Sequence, residues 1–492
     1  MGKIAELGRQ CKAVLGLIEV AGADASLEAM GESRVARLRR MLGEPADLRV
    51  RALTGGGHVL YFATIVNEPH LEASVLEPLA RAALAASEEA PLLRRLDRVG
   101  TYAEALDAIL AGDAVVLLPR PRGAFRAHVA KWPRRSPTEP PAEVITRGPH
   151  LGFVESLDDN VALIRQGVPD PHLRYERSRV ATRSGTEGAL LYIDGMVAAA
   201  VLARVRSALD RTRASVVTDA SMLLQHLSPT AHLFPTIGTT ERPDVACAAL
   251  LEGRVVILTD GSPTALLAPQ VFAHLLAVPE DYYQRGFVAL FDRSFRLAGL
   301  LLTLATAALY VALATVNLEL IPTPLFLSIA QSRLGVPMPL VFEVLALEAV
   351  IELIRQAGLR LPSSFGQSIS IVGAVVIGQS AVMAGLLSAP AVVVVSLEFI
   401  ASFIVPSQTA AMTARILRLP LILLSATFGL FGLALGLLLL LVYLSSLESF
   451  GVPYLAPLLP LRRRGLQDTL VRRPLRRLRA SFVAGPADAE GT

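Results

Sequence analysis

The chain has 492 residues, of which 52% are hydrophobic and 18% charged, with a formal net charge of +4. Soluble globular proteins carry about 25% charged residues, so this composition argues against a wholly soluble enzyme and excludes a disordered chain or a fibre. Residues 1–160 are rich in Arg, Asp and Glu, whereas residues 297–318, 361–397 and 419–447 carry no charge. The sequence therefore predicts a soluble front half and a membrane rear half.

The front half predicts small α/β subdomains behind an N-terminal helical segment, residues 1–50. In the first subdomain, residues 51–140, short apolar strands alternate with Ala- and Leu-rich helices, and Gly112 stops the helix at 102–111. The proline-rich run KWPRRSPTEPP ends it as a linker. The second subdomain, residues 141–290, alternates helices and strands in the same manner.

The two subdomains resemble each other in sequence. AILAGDAVVLL (108–118) aligns with ALLEGRVVIL (249–258), with Gly112 on Gly253, and VLYF (59–62) aligns with LLYI (190–193). A shared fold, arising from duplication, is one interpretation. Two unrelated α/β units with similar turn chemistry are the alternative.

The rear half, residues 291–460, predicts an all-α multi-pass transmembrane domain. Its expected spans are 297–317, 364–387, 390–408 and 420–446. Residues 461–492 form a basic tail, and the arginine cluster 462–479 places both termini in the cytoplasm by the positive-inside rule. If residues 340–357 form a fifth span, the tail moves outside. Nucleic-acid binding by the tail is the other alternative.

Several acidic residues interrupt the apolar helix 340–357. They are Glu343, Glu348 and Glu352, followed by Arg355, and the last three share one helix face. Bare carboxylates in lipid are costly, so we expect a helix at the membrane surface or packed inside an oligomer.

A stripe of small and weakly polar residues runs along the predicted helix 364–387. It includes Gln367, Ser370, Ala374, Ile377 and Ala381. Such a stripe allows close helix packing. It could equally line a narrow water path, with Ile377 as an apolar constriction.

Glu398, in the next predicted span, is a candidate ion or proton site. The alternative is a carboxylate that pairs with Arg355 or Arg415 at the membrane edge.

The sequence offers no support for an enzyme. It has no catalytic or phosphate-binding motif, and the histidines form no metal-binding spacing with carboxylates. Cys11 and Cys247 are far apart and form no disulfide framework, which fits a reducing compartment. We expect no catalytic, cofactor-binding or metal-binding residues.

Long, ordered blocks of residues 150–460 resemble the GerA family of spore germination proteins. They are GFVESLDDNVALIRQGVPDPHLRYE (152–176), TERPDVACAALLEGRVVILTDGSPTALLAP (240–269), PEDYYQR (279–285), IPTPLFLSIAQSRLGVPMPLVFEVLALE (321–348), LRLPSSFGQSISIVGAVVIGQSAV (359–382) and SFGVPYLAPLLP (449–460).

The resemblance implies the A subunit of a germinant receptor in the inner membrane of the spore. Its partners would be a transporter-like B subunit, a lipoprotein C subunit and further copies of itself, as a pentameric, nutrient-gated ion channel. Helix 364–387 would then line the pore, and helix 340–357 would couple it to the soluble part. A non-conducting scaffold, the A-like protein of the dipicolinate-channel operon and, more distantly, a transporter are the alternatives.

Overall fold

The computed structural model describes residues 27, 33–54, 56–84, 96–119, 123–132, 149–212, 214–228, 232–284, 286–360 and 378–461. The predicted N-terminal helical segment thus lies largely outside the described residues, as do residues 133–148, which include most of the predicted linker, and the arginine tail.

The first α/β unit is a five-stranded antiparallel sheet in the order β1-β2-β4-β5-β3. The strands are β1 (Leu48–Leu53), β2 (Gly57–Phe62), β3 (Asp97–Val99), β4 (Ala114–Leu117) and β5 (Ala124–Ala127). The helices are α1 (Arg34–Leu42), α2 (Glu68–Leu71), α3 (Glu77–Leu84) and α4 (Tyr102–Leu110), and one π-helical turn, Glu72–Leu76, joins α2 to α3. Helices α1 and α4 cover one face of the sheet and α2 and α3 the other. Strand β4 is therefore buried on both faces.

The second unit repeats this architecture in the order β6-β7-β9-β10-β8. Its strands are β6 (Leu173–Arg179), β7 (Glu187–Ile193), β8 (Gly238–Thr240), β9 (Val255–Thr259) and β10 (Ala265–Ala268). Its helices are α5 (Leu157–Gly167), α6 (Ala199–Arg211), α7 (Ala220–Leu227) and α8 (Pro243–Leu251). Helices α5 and α8 cover one face, and α6 and α7 the other. Equivalent strands occupy equivalent places in both sheets, as the sequence repeat predicts.

The aligned glycines occupy the same place in both units. Gly112 follows α4 and Gly253 follows α8, with φ of 88° and 79°, in the left-handed region that favours glycine. Each glycine ends a helix and turns the chain into a central strand. A β-carbon on Gly253 would also approach the Met196 carbonyl oxygen to 2.6 Å.

A buried ion pair fastens the two α/β units together. Arg165 on α5 donates from Nε and Nη2 to the Asp47 carboxylate at 2.7 and 2.6 Å, and both side chains are at most 3% exposed. The Arg165 guanidinium also lies 3.8 Å from the ring centroid of Phe62 on β2. The Ala46 amide donates to the Tyr175 carbonyl at 3.0 Å. Because this contact is dry and bidentate, it fixes the orientation of one unit against the other.

The helical part follows the second sheet. Its helices are α9 (Glu280–Tyr283), α10 (Gly286–Thr315), α11 (Thr323–Arg333), α12 (Leu340–Arg360), α13 (Gly378–Met383), α14 (Ala389–Ser402) and α15 (Gln408–Ser446). By length and composition, α10 and α15 are the helices of the described residues that could cross a membrane. Helix α14 is apolar but has only 14 residues. The short strands β11 (Glu448–Ser449) and β12 (Val452–Pro453) come last.

Helix α15 is a hairpin and not a straight rod. A straight helix of its 39 residues would be about 58 Å long, roughly twice the bilayer core. Gly429 has φ 61° and ψ −142°, outside the helical region. Beyond it, Gly432 packs against Leu424, and Gly436 against Leu421. These contacts require the chain to reverse, so residues 408–428 form a first arm and residues 430–446 a second, antiparallel arm.

The hairpin corrects the prediction of one span at 420–446. Glycine is common in membrane helices, so the three glycines within this run gave no sign of a reversal. The tip forms because Asn317, just after α10, accepts a hydrogen bond from the Leu430 amide at 2.8 Å. A β-carbon on Gly429 would clash with the Asn317 Oδ1 atom. Glycine therefore permits both the backbone conformation and the close approach.

The predicted span 364–387 also differs in its described part. Residues 361–377 lie outside the described residues, and α13 ends at Met383, before Gly385 takes a φ of 67°. Residues 319–339 hold the short helix α11 between prolines, which agrees with the prediction that they cannot form one continuous helix.

After the hairpin the chain returns to the second α/β unit. The Tyr454 carbonyl accepts from the Phe272 amide at 2.8 Å, and Ser449 Oγ accepts from the Gln270 amide at 3.0 Å. Tyr454 is fully buried between Phe234 and Phe272. The hairpin therefore begins and ends on the side of the helical part that faces the sheets.

Candidate functional site

The main candidate site is a network of buried charges at the centre of the helical part. Its central residue is Arg418, on the first arm of α15, which is 4% exposed. Arg418 Nη1 donates to Glu398 Oε1 on α14 at 2.8 Å, and Nη2 pairs with Glu348 on α12. Because one guanidinium holds two carboxylates, this contact joins three helices.

A fourth helix takes part through its backbone. Glu398 Oε2 accepts a hydrogen bond from the Ala307 amide, in the middle of α10, at 3.1 Å. Glu398 is 0% and Glu348 3% exposed. Burial of a carboxylate is tolerated only where charges and donors compensate for lost hydration, and Arg418 and Ala307 provide that compensation for Glu398.

A second, more exposed layer of charges lies one helical turn away, toward the sheets. Arg415 lies 3.4 Å from Glu352, and Arg355 lies 3.8 Å from the same carboxylate. Arg355 Nη2 also donates to Ser402 Oγ at 3.0 Å and stacks near the ring of Phe399 at 4.9 Å. Glu352 is 38% exposed at its side chain, so this layer is less deeply buried within the chain than the first.

Taken together, the two layers balance their charges: three glutamates face three arginines. The carboxylates are Glu348, Glu352 and Glu398, and the guanidinium groups are Arg355, Arg415 and Arg418. The net charge of this set is zero, and this balance lowers the free-energy cost of placing the charges between apolar helices. Chemically it can set the helix register and stabilise one packing arrangement of the bundle.

A separate carboxylate caps α14. Glu343 is fully buried and accepts from the Ser388 hydroxyl at 2.6 Å and from the Ser388 amide, at the N-cap of α14. Arg333 on α11 lies 3.7 Å from it. An anion at a helix N-terminus is favoured by the helix dipole. Glu343 thereby ties α12 to the start of α14 and to the end of α11.

Charged residues also anchor α10 to the short helix α9 that precedes it. The fully buried Asp281 accepts from Arg293 Nε at 2.8 Å and from Arg296 Nη2 at 2.8 Å. Burial by itself would raise the pKa of Asp281, but the hydrogen bonds from Arg296 and Arg293 outweigh it and hold that pKa below its usual value. Asp281 therefore stays ionised and fixes the base of the helix.

The exposed face of α10 next to this anchor is aromatic. Phe287, Phe291 and Phe295 are 79%, 56% and 54% exposed, and the Phe291 and Phe295 rings lie 4.6 Å apart. They follow one another at one-turn spacing, on the side opposite Arg293 and Arg296. An exposed apolar patch of this kind marks a contact with lipid or with another protein surface.

The structure corrects the expected position of helix 340–357. We predicted a surface or oligomer-interface helix, but Glu343 and Glu348 are buried inside the chain's own bundle. Ser388 and Arg418 provide the partners that make this burial possible. The proposed coupling role of Glu343, Glu348, Glu352 and Arg355 stays a prediction.

Glu398 lies inside the network, but its partner is neither Arg355 nor Arg415, the arginines that the alternative interpretation named. The predicted spans 390–408 and 420–446 leave Arg418 in the segment between them, so it was not predicted as the partner of Glu398. The available signal was that Arg415 and Arg418 are about one helical turn apart, as are Glu348 and Glu352 on α12, so the two pairs can face each other.

The predicted pore-lining residues remain largely untested. Gln367, Ser370, Ala374 and Ile377 lie outside the described residues, and Ala381 is half-buried on the short helix α13. Within the described ranges, no cluster of three or more histidine, cysteine or acidic residues could hold a metal ion.

Comparisons with known proteins give a consistent match along the chain. A family model described as the Bacillus/Clostridium GerA spore germination protein matches residues 36–481. Spore germination protein KA of Bacillus subtilis (strain 168) is 36% identical over 455 residues, covering 89% of this chain and 84% of that protein. Spore germination protein GerLA of Bacillus cereus is 35% identical over 460 residues, covering 89% and 92%.

A solved structure is also similar to part of the chain. It is the crystal structure of the N-terminal domain of the A subunit of the Bacillus megaterium spore germinant receptor GerK3. The TM-score is 0.39 at 22% sequence identity, and the match covers 51% of this chain and 98% of the solved one.

Proposed function

Since the chain belongs to the GerA family of spore germination proteins, we propose that it is the A subunit of a spore germinant receptor. In this role it acts in nutrient-triggered germination, in the inner membrane of the spore, with a B and a C subunit as partners. The family match supports this because it extends through both the sheets and the helices. The proposed role is not enzymatic.

We further propose that copies of the chain assemble into a gated ion channel. The supporting observation is the buried network around Arg418, because ionisable residues inside membrane helices are costly and commonly mark ion pathways or moving parts. The network makes α10, α12, α14 and the hairpin one unit, so displacement of one helix must disturb the others. Neighbouring copies would supply the remaining walls of the pore.

The proposed topology places the sheets and the C-terminal end on the cytoplasmic side. Residues 447–456 pack on the second α/β unit, which supports an even number of crossings between α10 and the end of the hairpin. Each arm of the hairpin counts separately here, because 17 to 21 residues correspond to about 26–32 Å, close to the bilayer core. Helix α10 and the two arms make three crossings, so in this topology the chain between Asn317 and the start of the hairpin crosses once more to return to the side of the sheets.

Deletion of the gene in spores of the host tests the receptor role. We expect germination with nutrient to be lost and germination by a nutrient-independent trigger to be kept. Reintroduction of the wild-type gene should restore the nutrient response. Normal nutrient germination in the deletion strain, in spores without a second gene of this family, would exclude the receptor role.

Ion flux in proteoliposomes separates a channel from a non-conducting scaffold. The sequence hypothesis predicts that Ile377→Ser makes vesicles of the purified full chain leak potassium, while Val376→Ser, on the opposite predicted helix face, does not. Equal leakage from both variants would contradict the assignment of the pore face. No flux from any variant, with assembly into the receptor intact, would favour the scaffold.

A further inference from the structure

The hairpin, residues 408–446, is held at both of its ends by other parts of the chain. At the tip, Asn317 accepts from the Leu430 amide, as described above. At the open end, residues 232–237, which we name the base loop, lie against both arms. A helical hairpin held only at its tip could spread at the other end, so the base loop decides the spacing of the arms there.

One residue of the base loop bonds to both arms through its backbone. The Leu233 carbonyl accepts from the Thr413 hydroxyl on the first arm at 2.5 Å, closer than the Thr409 carbonyl of the same helix, which lies 3.0 Å from that hydroxyl. The Leu233 amide donates to the Tyr443 hydroxyl on the second arm at 2.9 Å. In a straight helix Thr413 and Tyr443 would be about 45 Å apart, yet here both reach a single residue.

The base loop is also firmly attached to the second α/β unit. It leads directly into β8, the edge strand of the second sheet. Phe234 is buried and packs against Tyr454, with the ring centroids 6.3 Å apart. The Thr236 carbonyl accepts from the Ser449 hydroxyl at 2.5 Å. A movement of β8 must therefore move Leu233 and, through its two hydrogen bonds, both arms.

We propose that the base loop is the transmission element of this protein: it converts a displacement of the second sheet into a change in the spacing of the hairpin arms. This inference rests on the proposed function, because it assumes a gate in the helical part. It moves the main coupling contact away from helix 340–357 to Leu233, Thr413 and Tyr443. Arg418 lies little more than one turn beyond Thr413, so a shift of the first arm reaches the charged network directly.

Two conservative substitutions remove the contacts without removing the side chains. Thr413→Val and Tyr443→Phe each delete one hydroxyl. Each loss should change, about fivefold, the equilibrium between arms that are bonded to the base loop and arms that have separated from it. The double variant should change this equilibrium about twenty-fivefold if the two bonds act independently. Tyr454→Phe is the matched control, since within the described residues the Tyr454 hydroxyl has no hydrogen-bond partner.

The first readout is a distance. Spin labels at the exposed positions 412 and 445 of the full chain, reconstituted in lipid, report the separation of the arms near the base loop. We expect a narrow distribution for the wild type and for Tyr454→Phe, and a broader or shifted one for the double variant. An unchanged distribution in the double variant would overturn the proposal.

The second readout is function. Spores carrying the double variant should germinate at least tenfold more slowly with nutrient than spores carrying Tyr454→Phe, with equal amounts of receptor and an unchanged melting temperature of the purified chain. Equal germination rates in the two strains would refute the transmission role while leaving the receptor role intact. If wild-type spores do not need the gene for nutrient germination, the proposed function fails instead.

Discussion

Removal of the Arg418 charge should destabilise the helical part strongly. Arg418 is 4% exposed and holds Glu398 at 2.8 Å as well as Glu348. In Arg418→Met both carboxylates would face each other without a cation. Loss of one partner of a buried ion pair costs about 3–5 kcal/mol, so we expect the free energy of unfolding to fall by that amount.

Arg415→Met is the matched control. The same substitution three residues earlier removes a cation from the half-exposed Glu352, which keeps Arg355 at 3.8 Å. Exposed ion pairs contribute about 0–1 kcal/mol, so this variant should stay close to the wild type. Both free energies are measured by equilibrium unfolding of the purified full chain in detergent, followed by far-UV circular dichroism.

A triple variant separates the charge effect from lost packing. In Arg418→Met with Glu348→Gln and Glu398→Gln, no uncompensated charge remains, so more than half of the lost stability should return. A difference of less than about 1 kcal/mol between Arg418→Met and Arg415→Met, or a triple variant no more stable than Arg418→Met, would show that Arg418 does not compensate buried carboxylates.

Further predictions concern the hairpin tip, the buried His274 and the exposed phenylalanines of α10. Gly429→Ala should lower the free energy of unfolding by about 1–3 kcal/mol, because the backbone there favours glycine and a β-carbon meets Asn317; a variant as stable as the wild type in the same detergent assay would contradict the tight tip. Burial lowers the pKa of His274 to about 4. Since the unfolded imidazole titrates near pH 6.5, stability should fall as the pH drops from about 6.5 to 4, by up to about 1.4 kcal/mol per pH unit. His274→Gln should flatten this slope, and an unchanged slope would assign it to other groups. In Phe291→Trp, with the native Trp132 replaced by Phe, lipids brominated near the headgroup should quench the tryptophan fluorescence. The same lipids should not quench the fluorescence of Trp132 in the wild type. The absence of quenching in the variant would mean that protein covers the exposed phenylalanines of α10.

The repeated sheets could be predicted from the sequence because the patterns that indicate them are local. A glycine after an apolar helix and before a buried strand, as at Gly112 and Gly253, indicates the same turn in both units. Strand β1 was missed because the preceding residues have helical spacing, although the alternation of apolar residues and arginine in LRVRAL is itself typical of a strand. Pairing with β2, a tertiary interaction, decides its conformation.

Only part of the charged network could be predicted from the sequence. The spacing of Glu348, Glu352 and Arg355 on one helix face could be read directly, as could the buried position of Glu398. The partner of these acids could not, because it depends on which side of the hairpin faces α12 and α14. That orientation is fixed at the tip by Asn317 and Gly429, far from Arg418 in sequence.

The Asp47–Arg165 contact joins the two sheets into one rigid unit. Both hydrogen bonds from the Arg165 guanidinium to Asp47 are buried, and the guanidinium stacks on the Phe62 ring. We therefore expect the two sheets to move little relative to each other. In turn, we expect a displacement of the first sheet to move the second sheet, and with it Leu233. A binding partner need not touch the membrane helices, or even the nearer sheet, to exert force on them.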